Sequence, residues 1–591
     1  MIGRSIATII RGDDKPLLWA LGVLVVIGGA LGGGLGYLVV PQAFVLALIV
    51  GAFLAAAVPV GPLALTCKTV AAIGVFAMVG AGLATLAIGH PWWSAAVLAG
   101  VAFVGALWTA LPVIGQMAAG LPTLLVLLIV TRGKEVTGGQ EWHGAVLAIA
   151  CGLVGVLLLA VILHARDPRG ATRQLVSQCW DPDSTLSSHG LAAEVLRLDN
   201  ASPALFALLT QASIAKIART LSIKAREPAP EDVVAAGDSA QREIEAALVP
   251  RGRLVPRSVT ADTQPLVSAE GELSGAALLG TTDRRTAIEH GRDVLTGQRA
   301  VHRYRSAVPG LWTMLLRLSA SPDAAVFRFG VQQAAGLGLG ALILLLTDVF
   351  AESAFWILLT IFLVLQRNAV ATWTRLLQRV AGTWLGALSA AIVALVVPQA
   401  VLVPWLAVVV LMVGMAYVQR NYTVMAASIA VAIVWFMGSS SQDFWLWAGL
   451  RALDTVIGAV LAYAISRLIL PVRPQMAKRF DDVVAQLHGL CDTLRSVAAA
   501  GSPLRMGGHQ IDVATAMSNY DSDADMLGEE KKGEATAAGQ QLRDQWDRIN
   551  SLALVVVHDP QEVEGRERIL QDGFTLLDDR FATLAKSRPQ L

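Results

Sequence analysis

Charge is scarce in this chain. Asp, Glu, Lys and Arg make up 15% of its 591 residues, against roughly 25% in soluble proteins. The shortage is local. Residues 17–165 carry only Lys68, Arg132, Lys134, Glu135 and Glu141, and residues 329–470 carry ten charges. The remainder is about a quarter charged, the usual share for protein in water. Hydrophobic residues reach 55% and mean hydropathy is +0.58. That pattern excludes a soluble enzyme, a nucleic-acid-binding module and a disordered chain. A net charge of +1 points to no charged partner. Cysteine is rare too: Cys67, Cys151, Cys179 and Cys491 include no pair with metal-ligand or redox spacing, so no disulfide framework is expected. A phosphate-binding loop is also missing. The glycines of 28–36 lie inside an apolar run and lack the Lys-Ser/Thr that cradles phosphate. No hydrolase elbow or metal cluster stands out. The expectation is a non-enzyme with no cofactor and no ATP-driven step.

What the chain has instead is long apolar runs. A helix needs about 20 apolar residues to cross a bilayer. Hydropathy predicts spans near 17–39, 43–61, 66–88, 92–110, 114–131 and 142–164, then near 326–347, 353–366, 376–397, 401–418, 421–438 and 445–470. The fold class expected is an all-α integral membrane protein: two six-helix transmembrane halves in parallel repeat, with α-helical cytoplasmic regions. The expected divisions are 1–16 (cytoplasmic N-terminus), 17–165 (first half), 166–325 (cytoplasmic helical domain), 326–471 (second half) and 472–591 (C-terminal cytoplasmic helical domain). The first run is too long for a signal-peptide core, so it is expected to be retained. An even number of spans per half puts all polar regions on one side. Arg4, Arg11, Lys15, Lys68, Arg166, Arg367, Arg375, Arg379, Arg420, Arg467 and Arg473 all fall on that side, which marks it as cytoplasmic. Arg132 and Lys134, read as a loop between the fifth and sixth spans, dissent.

The two halves read as copies. The ten residues from Lys68 align with the ten from Gln378, an offset of 310, and the same offset aligns the breaks at Pro91 and Pro398–Pro404. Same-orientation repeats imply a pseudo-twofold axis along the membrane normal, with a substrate path commonly between the halves. Gly28, Gly32 and Gly36, and again Gly382 and Gly386, recur every four residues. Such spacing lets helix backbones approach closely, within one chain or across a homodimer seam. In the polar regions, amphipathic helices are expected near 188–224, 238–248, 283–305, 475–499, 534–556 and 564–587, with loops at 225–236 and 249–281. The two polar regions are expected to pack together.

Residues 355–390 begin Phe355-Trp356 and continue to Arg375-Leu-Leu-Gln-Arg379-Val-Ala-Gly382-Thr383-Trp-Leu-Gly386. This block resembles the fusaric acid resistance / aromatic acid exporter family, with its apolar helix, threonine-rich turn and Arg-x-x-x-Arg-x-x-Gly-Thr-x-x-Gly. The stretch from Arg451 through Asp454 and Gly458 to Pro471 resembles that family's last span. The first half departs from the pattern: Lys68 stands near the second basic position, and Gly144 aligns with Asp454. The resemblance implies proton-driven export of aromatic carboxylic acids or similar organic anions from the bacterial inner membrane. It also implies a periplasmic adaptor (membrane-fusion) protein as partner where an outer membrane exists, although the short outer loops offer it little surface. Plant malate channels are distant relatives, so a passive organic-anion channel stays open as an alternative. A membrane scaffold or regulatory protein is a third reading.

The residues themselves suggest where such an anion would sit. On a helix, Thr372, Arg375, Arg379 and Thr383 share one face. Guanidinium groups grip carboxylates through paired hydrogen bonds, although basic residues also belong in cytoplasmic hairpins for topology alone. Arg451 and Asp454 lie inside the last span, where a charge costs at least ~2.5–3.5 kcal/mol on insertion scales. Their i, i+3 spacing lets them neutralise each other. Two readings follow: Asp454 takes up a proton and frees Arg451 for the anion, or the pair merely fastens helices. Tyr417 and Tyr422 flank Arg420 and offer rings for an aromatic substrate, or interfacial anchors.

Overall fold

The structure, a computed structural model, describes residues 17–55, 63–108, 116–137, 142–184 except 166 and 168, 203–224, 228–248, 262–296 except 274, and 325–347. It continues with 353–397 except 367–368, 406–441 except 419, 443–471, 475–500, 529–557, 566–586 and isolated positions elsewhere. Arg367, Lys15 and the other calls on residues outside these ranges lie outside the described residues. The described residues are helical, without a strand, and the chain forms two compact units.

The first unit falls within 1–60, 66–163 and 311–473. It contains α1 (Trp19–Val39), α2 (Phe44–Ala55), α3 (Leu63–Leu86), α4 (Pro91–Trp108), α5 (Gln116–Thr137) and α6 (Trp142–His164). A second run follows: α7 (Ala325–Thr347), α8 (Ala354–Val364), α9 (Ala369–Ala394), α10 (Ala407–Ala416), α11 (Tyr422–Ser441) and α12 (Phe444–Leu468). Each span expected from hydropathy meets one of these helices. Seven are long and apolar enough to cross a bilayer, namely α1, α3, α4, α6, α7, α9 and α12, and the other five are shorter apolar helices. This is a multi-pass membrane protein.

The burial pattern follows from lipid as solvent. On α9 the large apolar side chains of Trp384, Leu385, Leu388 and Ile392 face outward and are exposed, while Gly382, Thr383, Gly386, Ala387 and Ala390 are buried. Lipid gives no hydrophobic drive between helices, so small residues at the contact set the packing. A Cβ on Gly386 would lie 2.3 Å from the Ala427 carbonyl oxygen of α11, and one on Gly382 would lie 2.4 Å from that of Thr423. The indole of Trp435 on α11 donates to the Ala390 carbonyl of α9 at 3.0 Å. The Gly28–Gly32 stripe is used likewise against α2. These small-residue stripes therefore serve packing within one chain.

The two runs interlock. α1 packs on α10, and the Leu18 amide donates to the Ala416 carbonyl at 3.0 Å. α7 packs on α4, where Gly338 abuts Ala99. The first helix of each run thus lies on the fourth helix of the other. α5 also meets α8, with Gly120 against the Phe362 ring.

Several expectations need correction. Arg132 is not a loop residue: it lies within α5, at a break with φ −128° and ψ 20°. The basic segment before 376 is not a break, because α9 starts at Ala369 and carries Thr372 and Arg375 in the same helix.

The second unit draws on both polar regions, within 164–310 and 474–591 together with 61–65. One apolar core is built around Trp180, Leu208, Ile244 and Ile288, and another around Phe480, Leu487, Tyr520 and Leu542. The segments 225–236 and 249–281 are not simple loops. Glu231–Leu248 is a helix whose first turn carries Glu231 and Asp232, acids that favour a helix N-terminus. Gln264–Glu270 is a helix with Pro265 in its first turn, where a missing N–H costs nothing. Gly275–Thr296 begins eight residues before the expected start.

Candidate functional site

The second run forms a narrow cavity, with room for roughly one water molecule. Its lining comes from Trp356 and Thr360 of α8, Arg379 and Thr383 of α9, Ile429, Ala430 and Ile433 of α11, and Arg451 and Thr455 of α12. All nine belong to the second run. A path between the two runs was expected, but this cavity lies inside one of them.

Three elements bring the charges together. Arg379 sits one turn past Arg375 on the buried face of α9, at 4% exposure. α12 begins at Asp443, whose side chain caps the helix by accepting from the Leu446 amide at 2.9 Å, so Arg451 and Asp454 fall two to three turns inside. They are 4% and 1% exposed, and their side chains pair at 2.6 Å. The close approach of α8 depends on Gly458, where a Cβ would lie 2.6 Å from the Ile357 carbonyl oxygen. That approach places the Trp356 ring 4.1 Å from the Arg451 guanidinium carbon, a cation–π stack.

The cavity is rich in unused polar atoms. Among the described residues, Nε and Nη1 of Arg379, Nε of Arg451, Oγ1 of Thr383 and Nε1 of Trp356 are buried without a hydrogen-bond partner. Buried donors without partners are costly and uncommon in folded proteins. Among the described residues, two guanidinium groups share the space with one carboxylate. Arg132 lies near enough to repel Arg451 electrostatically, as does Arg379. The local field therefore favours an anion.

The other sequence-predicted residues lie elsewhere. Arg375 stacks on the Tyr422 ring, its guanidinium carbon 3.9 Å from the centroid. Tyr422 is buried, and its hydroxyl has no partner among the described residues. Thr372 is fully buried and accepts from the Gln366 amide at 3.0 Å, tying the α8–α9 turn to α9. Tyr417 is a half-buried residue closing α10, and its backbone amide bonds back to Val413 and Gly414. Arg379, Thr383, Arg451 and Asp454 therefore converge, Arg375 pairs with Tyr422, and Thr372 and Tyr417 stand apart from the cavity. Trp356, Thr360 and Thr455 were missed by sequence reading. Among the described residues no group of three or more His, Cys, Asp or Glu could hold a metal ion.

No solved structure matches this chain. An uncharacterized protein of Synechocystis sp. is 32% identical over 102 residues, 17% of this chain and 13% of that protein. The uncharacterized protein ORF2 of Neisseria gonorrhoeae is 28% identical over 158 residues, 26% of this chain and 37% of that one. The chain thus matches well under two thirds of either relative's length. Residues 337–465, which contain every lining residue of the cavity and the arginine–glycine block, match the family model described as fusaric acid resistance protein-like.

Proposed function

We propose that this protein is a proton-coupled secondary exporter of aromatic carboxylates or related organic anions. One observation carries the reading: Arg379 and Arg451 share a buried cavity with a single carboxylate, and their free N–H groups point to a missing anionic partner. A substrate carboxylate would accept from Arg379 and Thr383 and compete with Asp454 for Arg451. The Trp356 face, already stacked on Arg451, would carry an aromatic ring. Protonation of Asp454 would loosen its hold on Arg451 and so link the proton to the holding or release of the anion. Arg375, one turn away on α9, and Tyr422, at the start of α11, would form a more cytoplasmic station, and Thr372 and Tyr417 would flank the entry. The match to a fusaric acid resistance protein-like model supports transport as the class of function.

In this reading α1–α6 and α7–α12 are parallel repeats in the bacterial inner membrane with both termini cytoplasmic, which the reciprocal packing of α1 on α10 and α7 on α4 supports. The units 164–310 and 474–591 would be cytoplasmic. Assembly as a homodimer, and with a periplasmic adaptor, belongs to the same proposal. The narrowness of the cavity favours a carrier that must open over a standing channel. Vesicles containing the purified chain decide the matter. Benzoate moving uphill, and stopping when the proton gradient is collapsed, is the expected result. A current that follows the benzoate gradient alone would make the protein a channel. No benzoate flux in either regime, with a panel of other aromatic acids equally inert, would remove transport altogether.

A further inference from the structure

The second run has a counterpart in the first, and contacts set the register between them. On α12, a Cβ at Gly458 would meet the Ile357 carbonyl oxygen and the Thr360 side chain. On α6, a Cβ at Gly152 would meet the Ala47 carbonyl oxygen and the Val50 side chain. Ile357 and Ala47 differ by 310 positions, and so do Thr360 and Val50; the two glycines differ by 306. With these offsets, Leu46 stands at the place of Trp356 and Val50 at that of Thr360. Ala145 stands at the place of Arg451, Ala148 at that of Asp454 and Ile149 at that of Thr455. This register replaces Gly144, aligned with Asp454 by the uniform offset, with Ala148. On α3 the position of Arg379 is held by Thr69 or Ile73, depending on which offset applies, and neither is charged. Leu46, Val50, Ala145, Ala148 and Ile149 are all fully buried.

We propose that each chain has one anion route, carried by the second helix run, and that its counterpart in the first run is a sealed apolar copy that takes no substrate. The chemistry differs at the charged places, where the second run has Arg379, Arg451 and Asp454 and the first has no charge. The second run offers two guanidinium groups, a carboxylate, hydroxyls and an indole around a cavity. At the places of Trp356, Thr360, Arg451, Asp454 and Thr455 the first offers leucine, valine, alanine, alanine and isoleucine, all fully buried. A desolvated carboxylate finds no guanidinium there, and leaving water without a charged partner is strongly unfavourable. A duplicated six-helix unit therefore has a division of labour: one copy binds one aromatic monocarboxylate, and the other supplies α1, α4 and α5 as the wall against which α10, α7 and α8 pack. Arg132 of α5, in the first run, adds to the field at Arg451.

The inference rests on the anion-carrier reading, and the experiment separates the two. The full chain, with its four cysteines replaced by serine or alanine, receives single cysteines at matched places: Thr360→Cys and Thr455→Cys in the second run, Val50→Cys and Ile149→Cys in the first. Vesicles are treated with a negatively charged methanethiosulfonate reagent under a proton gradient, with and without benzoate. At about ten times its Kd, benzoate should slow modification of Thr360→Cys and Thr455→Cys about tenfold by occupancy. Val50→Cys and Ile149→Cys should react slowly, and benzoate should not alter their rates. Protection in both runs would overturn the single route while leaving the carrier reading intact. Protection in neither would overturn both. Equilibrium dialysis of benzoate against the unaltered chain is independent of any replacement. One molecule bound per chain is expected; two would refute the single route, and none would refute the carrier as well.

Discussion

Arg379 concentrates the chemistry of the cavity, because two of its nitrogens are buried and free of partners. A lysine there would keep the charge but lose the planar fork that grips a carboxylate. Hydrogen bonds to charged groups contribute about 1.5–3 kcal/mol, so Arg379→Lys should weaken benzoate binding roughly ten- to a hundredfold, and Arg379→Gln at least as much. Titration calorimetry on the purified chain measures both; unchanged affinity in Arg379→Gln would remove this residue from the site. Asp454 answers a different question. Asp454→Asn leaves Arg451 buried without its counter-ion, at a cost of at least ~2.5 kcal/mol on insertion scales, so protein level should fall. In the protein that does insert, benzoate exchange should persist while coupling to the proton gradient is lost. Uphill transport by Asp454→Asn, assayed in the same vesicles, would rule it out as the proton carrier. Arg451 and Asp454 were legible because a charge inside an apolar run is conspicuous. Trp356, Thr360 and Thr455 were not, since a tryptophan or threonine in a span serves equally as belt or packing residue. Only the 4.1 Å stack on Arg451 and a shared wall single them out. Arg132 was misread because hydropathy ends a span at the first charge, whereas the helix is resumed beyond a local break there.

At the level of elements, the site depends on how closely helices approach. Gly382 and Gly386 let α9 lie against the carbonyls of α11, and Arg379 and Thr383 are on the same buried face. Gly386→Ala would set a Cβ 2.3 Å from the Ala427 carbonyl oxygen, so the helices must separate. Overpacking of this kind costs typically about 1–3 kcal/mol. Gly386→Ala should therefore lower the thermal unfolding temperature in detergent and also weaken benzoate binding. Gly34→Ala is the control: a Cβ there meets nothing within 4 Å, and both quantities should stay at wild-type values. Equal losses in the two variants would mean that helix flexibility, not the α9–α11 approach, sets stability. The apolar helices were readable in sequence because a bilayer demands a coarse and repetitive signal. Boundaries were less so. Pro265 and the acids at 231–232 resemble loop residues by composition, yet each is well suited to the first turn of a helix.

Over the whole molecule, two solvents divide the chain, and a buried charge is handled differently in each unit. In the membrane unit the cavity keeps donors unused. In the unit of 164–310 and 474–591 an arginine network instead uses its donors. Arg284, 1% exposed, donates to Gln241 and Asp238 and to the Val234 carbonyl, and Arg219 makes a two-point contact with Asp238 at 2.8 and 2.9 Å. That satisfied network reads as structure, whereas the unsatisfied one reads as a site; composition could not tell them apart, because both are arginines and a carboxylate. Burial would raise the Asp238 carboxyl, but the hydrogen bonds from Arg219 and Arg284 outweigh it and hold it below the usual range. A depressed folded-state value means that its stabilisation is present above the unfolded value of about 3.9 and is lost as pH falls through the folded one. Cys179 reports on the same core. It is 1% exposed, and burial pushes its thiol up to about 12, so in the native full chain at pH 7 it should resist iodoacetamide. Asp238→Asn removes the partner of two arginines, a loss of roughly 1.5–3 kcal/mol, and should speed Cys179 alkylation about ten- to a hundredfold if the core opens by local unfolding. Acidifying the wild type below pH 4 should bring the same opening, seen by fluorescence of the buried Trp180, and Asp238→Asn, which has no proton to gain there, should show a smaller acid response. Alkylation of Cys179 at the wild-type rate in Asp238→Asn would mean that the arginine pair is held by the helices around it and not by the carboxylate.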